Sequence, residues 1–287
     1  MAADGLRRKR RTKWVLAGGL TLLVGLVALR LFVFNDTARA VPIDVAVERY
    51  RDQLSSTTAA ATTVPDTAVA TSVVAGSTVP VVRPATLPAP GVYRYVTTGQ
   101  ESIDAVGGAT HRYPAETTIT VTSAGCGVDL AWHALVERSE NWALCVAPAG
   151  VELQPTGRSY HQFFGQSRTE DLACDRAVLV VPLDGQSREA EPLVCTLGGS
   201  DFRPVWEVLE AGTRTVEGEV VAVQHVRMTV TDDDKYWEHI TYDWYLDEHG
   251  LPVAITLTEE SLSDTAYGDV TYTEQYTMEL VSLTPLQ

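Results

Sequence analysis

The sequence predicts a mainly β protein: an antiparallel domain over residues 91–287, carried behind one membrane-spanning helix and a disordered stalk. Three observations predict it. A basic cluster is followed by an apolar run from Trp14 to Phe34, a tract built almost wholly of Ser, Thr, Ala, Val and Pro comes later, and from Gly91 onward apolar residues recur at period two. The last pattern is the repeat of a half-buried strand.

Residues 1–13 form the basic tail, with Arg7, Arg8, Lys9, Arg10, Arg11 and Lys13. The apolar run over 14–34 spans roughly 31 Å as a helix, against a hydrocarbon core of roughly 30 Å. Basic flanks stay on the cytoplasmic side, so the amino terminus is expected inside and everything after Asn35 outside the cell membrane. Arg30 breaks the run close to its outer end, where its long stem can snorkel to the headgroups. A cleaved signal peptide competes with the anchor, because Ala38, Arg39 and Ala40 make a small-x-small site. The apolar run is longer than a signal core of about 7 to 15 residues, which favours the anchor. No cysteine lies near it, so a lipobox lipoprotein is excluded.

The juxtamembrane segment, 35–54, places Ile43, Val45, Val47, Tyr50 and Leu54 among charges, a spacing that suits a short helix and a strand about equally. Residues 55–90 read as the stalk. Prolines at 65, 80, 84, 88 and 90 bias it to extended conformations, and it holds no aromatic residue. Its Ser and Thr content permits O-glycosylation.

In the exported domain, Val128, Leu130, Trp132, Ala134 and Val136 alternate with more polar neighbours, and Trp142, Leu144 and Val146 repeat the pattern. The alternation returns in Tyr236, Ile240, Tyr242, Trp244 and Leu246, then Val253, Ile255 and Leu257, then Val270, Tyr272, Tyr276, Met278 and Leu280. Glu238, Glu259 and Glu274 interrupt these apolar faces. Turn chemistry joins the strands at Asp247–Pro252 and Ser263–Gly268. Phe202, Val205, Trp206 and Leu209 have helical spacing behind Ser200 and Asp201. The valines that follow suit a hairpin around Glu217 and Gly218, and strand is preferred for most of this stretch.

All four cysteines, Cys126, Cys145, Cys174 and Cys195, lie in the exported part, where two disulfides are the expectation. Four cysteines allow three pairings. The near pairs, Cys126 with Cys145 and Cys174 with Cys195, are favoured; each closes a loop of about 20 residues, worth about 3 kcal/mol in the chain-entropy picture.

Charge and motifs narrow the function classes. Residues 1–34 carry seven basic side chains against Asp4, so removing them takes the net charge from −15 to −21. A field of that sign repels phosphate backbones, and nucleic acid is not an expected partner. His111, His133, His161, His225, His239 and His249 are scattered without zinc-site spacing and read as ordinary surface or strand residues. Asp232, Asp233 and Asp234 lack the ligand spacing of a calcium loop and read as a solvated turn. There is no GxSxG elbow and no phosphate loop. No catalytic residue, metal or cofactor is assigned, and an enzyme is not expected.

The rings are the suggestive feature. Alternation places Tyr242 and Trp244 on one face of their strand, Trp237 and Tyr245 on the other. Plain core packing accounts for them, or one face lines a groove; in the second case Trp206, Trp237 and Tyr245 are the candidate ligand-binding residues.

The stretch Trp244, Tyr245, Leu246, Asp247, Glu248, His249, Gly250, Leu251, Pro252, Val253 resembles a recurrent hairpin of the LolA/LppX-like lipoprotein-carrier half-barrels. Val216–Val226, around Glu217 and Gly218, is similar to their meander. The likeness covers about a third of the exported domain. It implies a strongly curved antiparallel sheet, or half-barrel, holding an apolar cavity for acyl chains. The chain departs from that family in lacking a lipobox cysteine and visible lid helices, and no binding residue is carried over. Together these readings make a membrane-anchored envelope protein that binds a lipid or other apolar ligand. The alternative is an envelope protein-interaction or sensory module with no small-molecule pocket.

Overall fold

The computed structural model describes residues 38–60, 86–104, 108–163, 166–232, 235–265 and 268–287. The segment read as membrane-spanning, 14–34, lies outside the described residues, as do the basic tail and residues 61–85 of the stalk. Among the described residues no helix is long and apolar enough to cross a membrane.

The juxtamembrane segment becomes a helix, α1 (Ile43–Ala60), with Asp44 in its first turn, where a carboxylate complements the helix dipole. Ile43, Ala46, Val47 and Tyr50 fall at i, i+3, i+4 and i+7, and this stripe packs on Val92. The helix runs through residues 55–60, so these do not belong to an extended stalk. At the other end of the stalk, Thr86 Oγ1 lies 2.6 Å from His249 Nδ1, Leu87 packs on the core and Ala89 O accepts from Tyr93 Oη at 2.8 Å. These contacts start the domain before Gly91.

The rest is strand: β1 (Gly91–Ile103), β2 (Ala109–Arg112), β3 (Glu116–Ala124), β4 (Gly127–Leu135), β5 (Arg138–Ala147), β6 (Gly150–Phe163), β7 (Gln166–Cys174), β8 (Val178–Pro182), β9 (Arg188–Pro192), β10 (Cys195–Leu197), β11 (Ser200–Phe202), β12 (Val205–Val216), β13 (Glu219–Asp232), β14 (Glu238–Leu246), β15 (Pro252–Thr265) and β16 (Gly268–Leu280). They form one antiparallel sheet in the order β11-β10-β7-β6-β5-β4-β3-β1-β16-β15-β14-β13-β12-β9, with β2 beside β1 and β8 beside β6. Two meanders, β3 to β7 and β12 to β16, are thus joined edge to edge through β1. The stretch with helical spacing at Phe202–Leu209 falls in β11 and β12, and β12 turns into β13 at Glu217 (φ 50°) and Gly218 (φ 85°), the positive pair of a tight hairpin.

The sheet is strongly curled into a half-barrel. Twist and bulges bend it, with register shifts between Trp142 and Leu144, Val208 and Ala211, and Tyr245 and Leu246. The core fills the concave side with Tyr93, Tyr95, Ile119, Trp132, Trp244, Ile255, Tyr276 and Met278, all under 3 % exposed. Beyond the first of these bulges Val146 is exposed, not inward as strict alternation from Trp142 predicts. Along β1 the inward row is Tyr93, Tyr95, Thr97, Gly99 and Glu101. Gly99 has φ 147°, and a side chain there would run into the Gln275 carbonyl and Tyr276 Cα of β16.

Both disulfides take the near pairing. Cys174 and Cys195 face each other across β7 and β10, and Cys126, in the β3–β4 turn, joins Cys145 of β5. The entry to α1 is also fastened. Ala40 bridges to Leu135, Arg39 O accepts from Val136 N at 2.8 Å, and the Arg39 guanidinium meets the buried Glu137 carboxylate at 2.6 Å.

Candidate functional site

Between the β5–β6 wall and the facing β12–β16 wall the half-barrel encloses a cavity of about 360 Å³. Strand register sorts the inner face of this wall into layers, of which Trp244, Tyr242, Leu257, Ile240, Glu259 and Glu274 line the cavity itself. Trp244, Ile255, Met278 and Thr97 are paired partners along β14, β15, β16 and β1; the next inward layer is Tyr242, Leu257, Tyr276 and Gly99. One layer further the pattern turns acidic, with Ile240 opposite Glu259, Glu259 opposite Glu274, Glu274 opposite Glu101, and Glu101 opposite His111 of β2. Trp142, Trp206 and Met228 complete the apolar part.

Like charges directly across strands repel, and the opposite wall supplies most of the compensation. The Arg138 guanidinium bonds Glu140 and reaches Glu274 at 3.2 Å. Glu101 takes His111 Nδ1 at 2.8 Å and His161 Nε2 at 2.9 Å, and Tyr272 Oη donates to it at 3.1 Å. Tyr113 and Tyr272 donate to Glu274. Phe163 lies flat on His111, centroids 4.2 Å apart, closing this end. Burial opposes ionisation of Glu101, but the hydrogen bonds from His111 and His161 and the charges of His161 and Arg138 outweigh it and hold the group at about 2.

Glu259 is different. It lines the cavity, and among the described residues no hydrogen bond or ion pair reaches its carboxyl. Burial, with Glu274 and Glu238 nearby, pushes it well above the usual carboxylate range. Glu140 is raised by burial despite Arg138, and Glu238 by burial, Asp232 and Glu170. The buried indole N–H of Trp244 makes no hydrogen bond, and Arg138 Nε has only Glu101 at 4.0 Å. Among the described residues no group of three His, Cys, Asp or Glu is placed to hold a metal ion.

Of the three rings singled out from the sequence, Trp206 lines the cavity. Trp237 and Tyr245 do not: Tyr245 occupies the alternate position beside Trp244 on the convex face of β14, and Trp237 precedes that strand. There Tyr245 stacks on His225 at 4.4 Å under the Arg214 guanidinium, and Trp237 lies beside His239. The sheet's own strands and loops line the cavity, and helix α1 contributes no residue to it. The sequence reading missed Arg138, Glu101, Glu140, the buried His111 and the half-buried His161. Their signal was present in part: Glu259 and Glu274 sit at apolar-face positions, and Glu101 stands two residues beyond a glycine in the inward row of β1. Against family models, curated proteins and solved structures the chain finds no match.

The raised carboxyl has a measurable consequence. Because Glu259 keeps its proton in the native state where the unfolded chain, near 4.5, has lost it, its contribution to stability falls as pH rises from about 4.5 toward the native value. Glu101 acts below this window, between about 4.5 and 2, where its contribution is lost as pH falls. His133, lowered by burial and by Arg49, works in the opposite sense near its usual 6.5, so wild type and variant must be compared. Glu259→Gln is expected to gain on wild type in urea midpoint between pH 5 and pH 8. A constant difference across that range means that Glu259 does not carry the raised pKa.

Proposed function

We propose that this chain is a single-pass membrane protein, amino terminus cytoplasmic, whose outward half-barrel binds one small amphipathic or apolar envelope ligand. The observation that carries the reading is the cavity: about 360 Å³, with the rings of Trp142, Trp206, Tyr242 and Trp244 and several aliphatic side chains in a lining that also holds charged groups such as Arg138, Glu140, Glu259 and Glu274. Small-molecule sites run from about 300 to 1,000 Å³. This volume equals about a dozen waters at roughly 30 Å³ each, room for one short chain or ring system. The resemblance of Trp244–Val253 to the LolA/LppX-like carriers supports the same reading. The basic cluster before Trp14 supports the topology, and the two disulfides fit an oxidising, extracytoplasmic setting.

The test is a titration of the full-length protein in lipid nanodiscs with short-chain n-alkyl alcohols, followed by tryptophan fluorescence. Each methylene entering the cavity contributes about 0.8 kcal/mol, so affinity is expected to rise about fourfold per carbon until the cavity is full. A response that does not depend on chain length overturns the binding reading and favours the interaction module.

A further inference from the structure

We propose that the acidic layer of the cavity receives an organic cation, the alkylammonium head of an amphipathic ligand, with Glu259 as its counter-ion. The inference rests on the cavity being a ligand site and names the chemistry of the ligand it takes.

The argument begins with an imbalance of partners. In the acidic layer Glu101 is matched from within the protein by His111 and His161, and Glu274 by Arg138, Tyr113 and Tyr272, whereas Glu259 and, one layer further along the same wall, Glu238 have no such partner among the described residues. Arg138 also holds Glu140. Glu259 stands directly opposite Glu274 in the β15–β16 register, faces the cavity and has no such partner among the described residues. A carboxyl so placed must either keep its proton or find a cation. The adjoining layer supplies the second half of a cation site. Trp142, Tyr242 and Trp244 all line the cavity, with Trp142 and Trp244 centroids 4.9 Å apart, Tyr242 and Trp244 5.4 Å, and Trp142 and Tyr242 6.4 Å. Rings packed edge to face present π-surface, which attracts ammonium groups most strongly where water is excluded.

A carboxylate-headed ligand would pair with Arg138, the buried arginine of the lining, only by displacing Glu140 or Glu274, the more exposed Arg158, Arg168 and Arg176 being held by Asp171, Glu170 and Asp175, and it would bring another negative charge beside Glu259.

Three matched probes of one chain length decide the matter: hexyltrimethylammonium, hexanoate and hexanol, each titrated at pH 7.5 into the full-length protein in nanodiscs of uncharged lipid. The trimethylammonium probe is expected to bind at least tenfold tighter than hexanoate and tighter than hexanol. Glu259→Gln, with its melting temperature recorded to show that it folds, is expected to bring the ammonium-to-hexanol affinity ratio close to one. Chain-length-dependent binding of alcohols with no ammonium preference, or a preference that survives Glu259→Gln, overturns this inference and leaves the binding reading standing. Tighter hexanoate binding overturns it in favour of Arg138 as an anion receptor. No binding of any probe removes the ligand site itself.

Discussion

Arg138→Met is expected to cost the fold about 3 to 5 kcal/mol at neutral pH, the usual penalty for removing one member of a buried ion pair. Arg138 is the guanidinium that reaches from β5 to Glu274 of β16 and holds Glu140 alongside. Methionine fills similar space, so the loss is electrostatic. Glu274, 1 % exposed, is left with tyrosine hydroxyls and no cation. Adding Glu274→Gln to Arg138→Met should recover part of the loss, because neighbours in one network are not additive. Urea melts of the four proteins at pH 7.5 check this. A wild-type midpoint for Arg138→Met would show that the two walls are held by apolar packing alone.

Gly99→Ala is expected to be nearly as costly, about 3 kcal/mol or more, for a backbone reason. At φ 147° an L-residue is strained by about 1 to 3 kcal/mol. The new Cβ would also overlap the Gln275 carbonyl and lie 2.6 Å from Tyr276 Cα, contacts that cannot yield without opening the β1–β16 ladder. That ladder is the seam between the two meanders, and Gly99 O accepts the Tyr113 N–H that brings the Tyr113 hydroxyl to Glu274. The variant should therefore lose both thermal stability and any ligand response. Unchanged hydrogen exchange along 91–103 would refute the seam argument.

How much was legible in the sequence depends on the range over which each interaction acts. Strand period is local, so the faces of β4, β14, β15 and β16 could be read directly, and so could the Glu217–Gly218 hairpin. The near disulfides join residues 19 and 21 apart, within the same local reach. The curl is different in kind, because it joins residues far apart. Arg138 meets Glu274 across 136 positions and Tyr242 meets Glu140 across 102, and no periodicity announces either. Glu259 and Glu274 did announce themselves as charges in apolar positions. Their meaning needed the register that sets them opposite each other. Trp237 and Tyr245 show the converse error: large rings off the inner face look like a binding surface until His225 and Arg214 are seen covering one of them.

The docking of Arg39, Ala40 and α1 onto the domain changes the mechanics of attachment. For the proposed anchor at 14–34, three residues stand between Phe34 and Ala38, and the four steps from one to the other span at most about 14 Å at roughly 3.6 Å per residue. The barrel would then ride against the bilayer with a restricted attitude, like a cup fixed by its rim, rather than swing on a long leash. A pull on the anchor would be carried first by the Arg39–Glu137 ion pair and the Ala40–Leu135 bridge, at the end of β4 and beside the first residue of β5. Residues 61–85 stay out of that load path, since the chain has already gripped the domain at 38–60 before reaching them and grips it again from Thr86.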